Sequence, residues 1–589
     1  MQTNSLKTLS IHEIQAGYEN GTLTPEALIE LIIERAEADK DFNIWITPPS
    51  WSFIRSYIDN LNLIDRDKSP LWGIPFAIKD NIDLAGVPTT AGCPDFAYTP
   101  EKSATIVQRL INAGAIPIGK TNLDQFATGL VGTRSPFGET QNALRPELIS
   151  GGSSSGSAVS VARGQAAFSL GTDTAGSGRV PAALNGLIGF KPSLGAWPVK
   201  GVVPACASID CVTVFSNNLQ DTVFVDEAVR GFDKEDPWSK TVKREPSSLP
   251  KRLLIPADSP EFYGPFAKEY EQAWQTALTK INKLGILIEK IDVSYLLEAA
   301  SVLYDGPWVA ERWSDLGAFI EEHPNSSLSV TETVLRTGAK SAYTASSLFQ
   351  AMHKLQASKR KAHIQLEDAV LIMPTAGGTW TRAEVRSNPL QTNSQMGLYT
   401  NHCNLLDLSA INIPSEPIED TLPFGITLFS GANDEHLITG LAEKFLNESP
   451  VPTQTNTITI AVCGLHMQGY PLEVQMKEHD AKFITKAKTS ANYQLIELNT
   501  VPAKPGLLRN PIMGAVIDLE LWEMPVQQLG AFLSLIPSPL GIGTIELKNG
   551  TFVKGFLCEQ WAADEGKDIT RFGGWHQYSA SKPSAHSVL

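Results

Sequence analysis

The chain has 589 residues, 42% of them hydrophobic and 19% charged, a globular composition that excludes collagen, coiled coil and long disorder. Its 48 Lys and Arg against 63 Asp and Glu give a net charge of −15, which disfavours nucleic-acid phosphates and anionic membranes as partners. We find neither an apolar signal core near the N-terminus nor a membrane-length apolar run, and the six cysteines lack Cys-x-x-Cys spacing. We therefore expect a cytoplasmic protein with reduced thiols, no membrane span and no zinc site.

Helix and strand signals alternate in the N-terminal part of the chain. A helix is predicted to begin at Thr24-Pro25, because Thr is a favoured N-cap and Pro a favoured first residue. A short buried strand is predicted over 72–79 and ends at Lys79, and a helix over 103–113 and a strand over 115–119 follow. This alternation favours an α/β fold in which helices cover a sheet.

Residues 150–195 are rich in Gly, Ser and Ala and nearly free of charge. Two clusters, Gly151–Ser157 and Gly171–Arg179, flank apolar positions between Val159 and Leu170. Those apolar positions argue against a flexible linker. Small residues at this density indicate a backbone that approaches another group closely.

A domain boundary is predicted late in the chain. Before it, helices are predicted around 267–284, 308–321 and 346–370. The polar, proline-containing stretch 446–456 predicts an interdomain linker. It separates a first domain over 1–445 from a smaller second domain over 457–589.

The second domain is predicted to be β-rich. Strands are predicted at 458–462, 515–521, 544–547 and 552–557. The last two flank Asn549-Gly550, a strong signal for a two-residue hairpin turn.

Three familiar glycine motifs explain the Gly/Ser segment poorly. A P-loop would need a lysine where Ser157 follows Gly156. We find no Gly-x-Gly-x-x-Gly between a strand and a helix, so a dinucleotide site lacks support. Gly152–Gly156 matches the nucleophile elbow around Ser154, but 145–150 is a poor leading strand for it.

Lys79 and the two serine–glycine clusters are the remaining reactive groups. The apolar strand end 76–78 would desolvate Lys79, and desolvation lowers the pKa of a lysine from about 10.4 towards neutrality. A serine beside a neutral lysine can be activated without histidine. The amides of a glycine-rich turn can then stabilise an oxyanion.

Four segments together resemble the amidase signature family: 73–80, 151–157, 171–183 and 186–192. The resemblance extends over about residues 20–435, and the lysine and two serines fall in the family's order. It implies one large α/β domain with a mixed sheet covered by helices. The departures from the family pattern, none of which removes a reacting group, are Ser155, Ala175 and Gly178.

The resemblance also implies residue roles. Ser177 would be the nucleophile, Ser153 the bridging serine after a cis peptide bond from Gly152, and Lys79 the base. No metal or organic cofactor is implied. The amides implied to form the oxyanion hole are those of Thr174, Ala175, Gly176 and Ser177.

Within this family the chain is similar to the allophanate hydrolases. The similarity is carried by 304–313, 398–401, 404–408, 464–472, 504–507, 539–543, 555–559 and 572–575. It implies that Tyr304 and Arg312 hold a substrate carboxylate, for which arginine offers bidentate geometry. Judged from the residues alone, a surface salt bridge of Arg312 with Glu311 or Asp315 is the alternative.

The implied activity is hydrolysis of the terminal amide of allophanate, with urea carboxylase as a pathway partner or fused domain. We also expect a homodimer. One alternative is an amidase with broad specificity for small amides. A second is the amidase subunit of a larger complex, in which the second domain serves for docking.

For the second domain, the resemblance implies a small fold related to gamma-glutamyl cyclotransferases. We predict that it accelerates decarboxylation of N-carboxycarbamate, the product of the first domain. His466 follows the strand 458–462 in a glycine-flanked turn, where reacting side chains are often displayed. Candidate polar partners for His466 are Tyr493, Arg509 and Glu559. The alternative is that His466 is structural and that this domain has no chemical role.

Overall fold

The computed structural model describes residues 8–419, 421–447 and 457–582. The chain divides into two compact units, residues 1–451 and 452–589. Most of the predicted linker, residues 448–456, lies outside the described residues, so the linker itself stays a prediction. In the described part of the chain, we find no helix with the length and apolar character needed to cross a membrane.

The first unit is built on one mixed sheet, to which eleven of the described strands belong. Its order is β1-β3-β2-β4-β6-β5-β10-β11-β9-β7-β8. The strands are β1 Trp45–Thr47, β2 Pro75–Lys79, β3 Ile116–Thr121, β4 Phe168–Thr172, β5 Ile188–Lys191, β6 Val212–Ser216, β7 Arg252–Pro256, β8 Leu287–Ile291, β9 Ala369–Pro374, β10 Ser409–Pro414 and β11 Gly425–Ser430.

Helices cover this sheet, as the alternating pattern predicted. Strands β2, β3 and β4 consist of buried residues throughout, which explains why, apart from Lys79 and Lys120, their residues are apolar or small rather than alternating. The helices are α1 Ile11–Glu19, α2 Pro25–Ala38, α3 Trp51–Leu61, α4 Thr105–Asn112, α5 Ser155–Ala162, α6 Val180–Leu184, α7 Leu219–Val229, α8 Ala267–Asn282, α9 Ser294–Asp305, α10 Val309–Glu322, α11 Ser329–Arg336, α12 Ala345–Gln365, α13 Arg382–Ser387, α14 Gln391–Met396, α15 His402–Leu405 and α16 Glu435–Leu446.

Local signals explain where several of these elements begin and end. Helix α2 begins after Thr24, whose side chain accepts a hydrogen bond from the Ala27 amide. The helix predicted over 346–370 ends earlier, at Gln365. Asp368 has a left-handed φ of 54°, and the fully buried run after it forms β9.

The second unit has its own sheets and its own core. A five-stranded sheet has the order β13-β16-β12-β18-β17, and a three-stranded sheet has the order β15-β14-β19. The predicted hairpin is confirmed, because β17 and β18 pair antiparallel around Asn549-Gly550. The elements are β12 Thr457–Val462, α17 Glu473–Glu478, β13 Lys482–Lys488, β14 Tyr493–Leu498, β15 Lys504–Arg509, β16 Asp518–Pro525, α18 Val526–Ser534, β17 Leu540–Glu546, β18 Phe552–Cys558, α19 Gln560–Glu565, β19 Lys567–Asp568 and α20 Trp575–Ser581.

Candidate active site

Lys79 is the last residue of β2 and is fully buried. Its Nζ donates hydrogen bonds to Ser153 Oγ at 2.8 Å and to Thr172 Oγ1 at 2.7 Å. Burial lowers the pKa of Lys79 to about 7, although the nearby carboxylates of Asp124, Asp210 and Asp173 oppose that shift. The side chain can therefore change protonation state near neutral pH.

Ser153 stands just before α5, where the Gly152–Ser153 peptide bond is cis, as the resemblance implied. The Asp124 amide donates to the Ser153 carbonyl at 3.0 Å. A Cβ on Gly152 would collide with the Asp124 carboxylate, so only glycine fits at this position. These contacts hold Ser153 beside the lysine.

Ser177 lies in the turn between β4 and α6. Strands β2 and β4 are parallel neighbours, with Ile78 opposite Leu170, so their carboxyl ends bring Lys79 and this turn to the same edge of the sheet. Ser177 is nearly buried, with 4% of its surface exposed. Between Ser177 Oγ and the other described residues we find no hydrogen bond, so the structure forms the Lys79–Ser153 half of the expected relay.

The turn closes onto the carboxylate of Asp173. The Gly176 amide donates to Asp173 Oδ1 at 2.7 Å, and Arg179 forms a buried two-point ion pair with the same carboxylate. Glycine is required at 176, where φ is +125° and a Cβ would collide with Thr400 Oγ1.

The four amides expected to form the oxyanion hole lie in this turn, and their role stays a prediction. The Gly176 amide donates to the Asp173 carboxylate. For the amides of Thr174, Ala175 and Ser177 we find no hydrogen-bond acceptor among the described residues.

Arg312 is buried on α10, with 1% of its surface exposed. Its Nη1 donates to Thr128 Oγ1 at 2.9 Å. The neighbouring Glu311 instead accepts hydrogen bonds from the amide and hydroxyl of Ser208, both at 2.7 Å. Burial of Arg312 therefore excludes the surface salt bridge. The Tyr304 side chain lies outside the described residues.

Sequence reasoning missed two polar residues close to this turn. Thr172 is the second acceptor for Lys79, and Asp210 accepts from Thr174 Oγ1 at 2.5 Å. Burial raises the pKa of Asp210 to about 6. Hydrogen bonds from Thr174 and from two amides, together with the charge of Arg312, act in the opposite direction and lower it. Thr172 could have been found within the matched motif, whereas Asp210 has no local signal.

In the second unit, His466 follows β12 as predicted and lines a cavity of about 140 Å³. Its Nε2 is 2.9 Å from Gln475 Oε1, and its ring stacks on Phe556 with centroids 4.9 Å apart. Burial lowers the pKa of His466, although the Gln475 hydrogen bond opposes it and Lys504 adds to it. Lys504 lines the same cavity and is its cationic group.

The three other candidates of this unit lie elsewhere. The Tyr493 hydroxyl accepts from the Glu546 amide at 2.8 Å, and Arg509 pairs with the Glu546 carboxylate at 3.3 Å. Glu559 accepts from the Trp561 indole at 2.5 Å. The described residues that line the His466 cavity include none of the three. Gln475, nine residues further along the chain, and Lys504, at the start of β15, are polar residues that line the cavity with His466.

The chain has a large helix-covered sheet, a buried lysine–serine pair and a second serine in a glycine-rich turn. Together these features define it as an amidohydrolase. The family model described as Amidase matches residues 27–439, and the chain belongs to this family. A model described as the allophanate hydrolase C-terminal domain matches residues 458–580.

Individual relatives agree with this assignment. Urea amidolyase of Saccharomyces cerevisiae is 39% identical over 591 residues, which cover 94% of this chain and 32% of that protein. Urea amidolyase of Lachancea kluyveri is 38% identical over 610 residues, which cover 95% of this chain and 32% of that protein. The structure of Kluyveromyces lactis allophanate hydrolase superposes with a TM-score of 0.72 at 37% identity, covering 98% of this chain and 100% of that one. The chain spans about a third of the length of the urea amidolyases it matches.

Proposed function

We propose that this chain hydrolyses the terminal amide of allophanate. The observation that carries the proposal is the likeness to Kluyveromyces lactis allophanate hydrolase over both units, at 98% coverage of this chain. The lysine–serine pair of the first unit supplies the chemistry, and the buried Arg312 supplies a site for a carboxylate. An amidase of broad specificity would not need an arginine to hold a substrate carboxylate.

In the first step, Ser177 Oγ attacks the terminal amide carbonyl carbon. Its proton passes through Ser153 to the neutral form of Lys79, for which a pKa of about 7 is suited. The amides of Thr174, Ala175 and Ser177 stabilise the negative charge on the carbonyl oxygen. The same relay returns the proton to the departing nitrogen, which leaves as ammonia.

In the second step, water attacks the acyl-enzyme and gives up a proton to the relay. Ser177 is regenerated, and N-carboxycarbamate is released. Arg312 and Tyr304 hold the carboxylate of the substrate throughout. Neither step uses a metal or an organic cofactor.

The second unit then removes carbon dioxide from N-carboxycarbamate. Support comes from the cavity that places His466 and Lys504 together. A lysine attracts an anionic molecule, and a histidine can deliver the proton that replaces the lost carboxylate. Docking and dimerisation are the alternatives for this unit.

The context of the chain is also a proposal. The chain spans about a third of the length of the yeast urea amidolyases. We therefore propose that it acts together with a urea carboxylase, which is either a separate pathway partner or a fused domain. A cytoplasmic homodimer completes the proposal.

Ammonia release from freshly prepared allophanate tests the proposed activity on the isolated chain. Wild type should release ammonia, and Ser177→Ala should be at least about a thousandfold slower, because removal of a nucleophile leaves only binding and oxyanion stabilisation. Ser154→Ala is the matched control, since among the described residues the Ser154 hydroxyl bonds only to the Thr172 backbone. The rate of ammonia release by Ser154→Ala should stay within about tenfold of the wild-type rate.

Three outcomes would contradict the proposal. An active Ser177→Ala together with an inactive Ser154→Ala would favour the nucleophile elbow. Faster turnover of acetamide than of allophanate would favour the broad amidase. Activity only after a second protein is added would favour the subunit of a larger complex.

A further inference from the structure

Asn404, on helix α15, lies against the back of the turn that carries Ser177. It is buried, and its Nδ2 donates to the carbonyls of Asp173 at 2.6 Å and of Ile209 at 2.8 Å. Because both partners are carbonyl oxygens, the amide nitrogen must face them, and the orientation of this side chain is unambiguous. Asn404 therefore ties two backbone segments together.

One of those segments leads directly into the expected oxyanion hole. In a trans peptide, the carbonyl and the following N–H point in opposite directions. With the Asp173 carbonyl held towards Asn404, the Thr174 N–H points away from Asn404. We find no partner for this N–H among the described backbone groups. Asn404 thus sets the direction of an amide that is available to a substrate.

The Thr174 side chain is held from a second direction. Its Oγ1 donates to Asp210 Oδ1 at 2.5 Å. The Asp210 carboxylate is itself fixed by the Ala205 amide at 2.7 Å and the Cys206 amide at 3.2 Å. Since Asn404 also binds the carbonyl of Ile209, the residue before Asp210, both contacts to the turn belong to one connected network.

Strand pairing explains how these distant segments meet. Strands β4 and β6 are antiparallel, with Thr172 opposite Val212. The residues after 172 therefore run beside the residues before 212, and the Asp173 amide donates to the Cys211 carbonyl at 2.8 Å. Asn404 and Asp210 continue this pairing with side-chain hydrogen bonds beyond the end of the ladder.

We propose that Asn404 and Asp210 are positioning residues that aim the Thr174 amide at the oxyanion of the tetrahedral intermediate. The inference rests on the proposed function, because it assumes that this turn stabilises an oxyanion. Such donors act only when they are fixed in place before the reaction, so their loss lowers kcat rather than substrate binding.

Variants of the full chain test each side of Thr174. Asn404→Leu removes both donated hydrogen bonds with a side chain that also branches at Cγ, and Thr174→Val removes the hydroxyl at similar shape. Each should lower kcat by about 10- to 100-fold and change KM by less than about twofold. Thr174→Ser, which keeps the hydroxyl, should recover most of the rate lost in Thr174→Val.

A structural control separates positioning from folding. Asn412→Leu also removes a buried asparagine, which donates to the Leu187 carbonyl at 2.8 Å and accepts from Thr375. It should lower Tm to a similar extent as Asn404→Leu while kcat stays within about twofold of wild type. The double variant Asn404→Leu/Thr174→Val should be slower than either single variant by much less than the product of their effects, because both act through one amide.

Labelling of Ser177 by a fluorophosphonate gives a second readout that does not depend on the amide substrate. Its phosphoryl oxygen also gains negative charge during attack, so Asn404→Leu should slow labelling about as much as it slows kcat. If wild type is labelled but releases no ammonia from allophanate, the proposed substrate is wrong and the labelling still tests Asn404. A lower Tm with unchanged kcat and labelling, or effects that multiply in the double variant, would overturn the positioning role.

Discussion

The side-chain nitrogen of Lys79 lies 2.8 Å from the Ser153 hydroxyl oxygen at the buried end of β2. When Lys79 is charged, it donates this hydrogen bond and has no lone pair with which to accept a proton. After Lys79 loses a proton the bond can reverse, and Ser153 then donates to the amine. The protonation state of one buried lysine therefore decides whether Ser153 can relay a proton from Ser177.

Ammonia release should rise with pH because the neutral form of Lys79 is the active one. Burial lowers the pKa of Lys79 to about 7. The rate should rise about tenfold per pH unit below about pH 7 and level off above about pH 8. The measurement is kcat/KM for ammonia release between about pH 5.5 and about pH 9.

Lys79→Arg checks the same assignment independently of pH. A guanidinium keeps its proton throughout this range, so the variant should be nearly as inactive as Lys79→Met. A Lys79→Arg enzyme within about tenfold of wild type, or a wild-type rate that stays flat down to about pH 5.5, would contradict the role of lysine as the base.

Thr172 should tune the pKa of Lys79. Its hydroxyl accepts from Lys79 Nζ at 2.7 Å, and a bond of this kind stabilises the charged lysine more than the neutral one. Thr172→Val should therefore shift the rising limb of the pH profile to lower pH, by about one unit. Thr172→Ser keeps the acceptor and should restore the wild-type midpoint, whereas a shift to higher pH in Thr172→Val would contradict the argument.

Local sequence signals predicted the strand that ends at Lys79 and the close approach of the Gly/Ser-rich backbone, whereas the roles of Ser153 and Ser177 came from the family resemblance. The apolar run before Lys79 and the density of Gly and Ser around Ser153 and Ser177 are properties of short segments. They correspond to β2 and to the turns before α5 and α6. The β-rich character of the second unit and its hairpin turn were predicted in the same way.

The groups that support the site could not be predicted from the sequence. Asn404 contacts Asp173 across 231 residues of chain, and no periodicity encodes such a pairing. The hydrogen bond from the Gly176 amide to the Asp173 carboxylate depends on the backbone conformation of the turn. The hydrogen-bond partner of His466 is Gln475 and not Tyr493, and this too is a result of packing.

Arg312 should matter for allophanate and much less for a neutral amide. Because its side chain is buried, losing a charged pair with the substrate carboxylate should cost about 2–4 kcal/mol, or about 30- to 1,000-fold in kcat/KM. Acetamide has no carboxylate, so Arg312→Ala should change its hydrolysis by less than about tenfold.

A surface arginine serves as the control for Arg312. Arg336 on α11 pairs with Glu332 at 2.7 Å and is half exposed. Arg336→Ala should therefore keep kcat/KM for both substrates within about twofold of wild type. Equal losses on allophanate and acetamide in Arg312→Ala would make Arg312 a structural residue. The support it gives to allophanate as substrate would then be lost.

His466 should separate the second chemical step from the first. In His466→Gln, the first ammonia should leave allophanate at the wild-type rate, because that step takes place in the amidase unit. Carbon dioxide should then lag behind ammonia, which simultaneous ammonia assay and gas-phase mass spectrometry can measure. His479→Gln is the matched control, since His479 also packs on Phe532 but does not line the cavity. If carbon dioxide follows ammonia with wild-type timing in His466→Gln, the cavity has no part in decarboxylation, and docking or dimerisation becomes the better account of this unit.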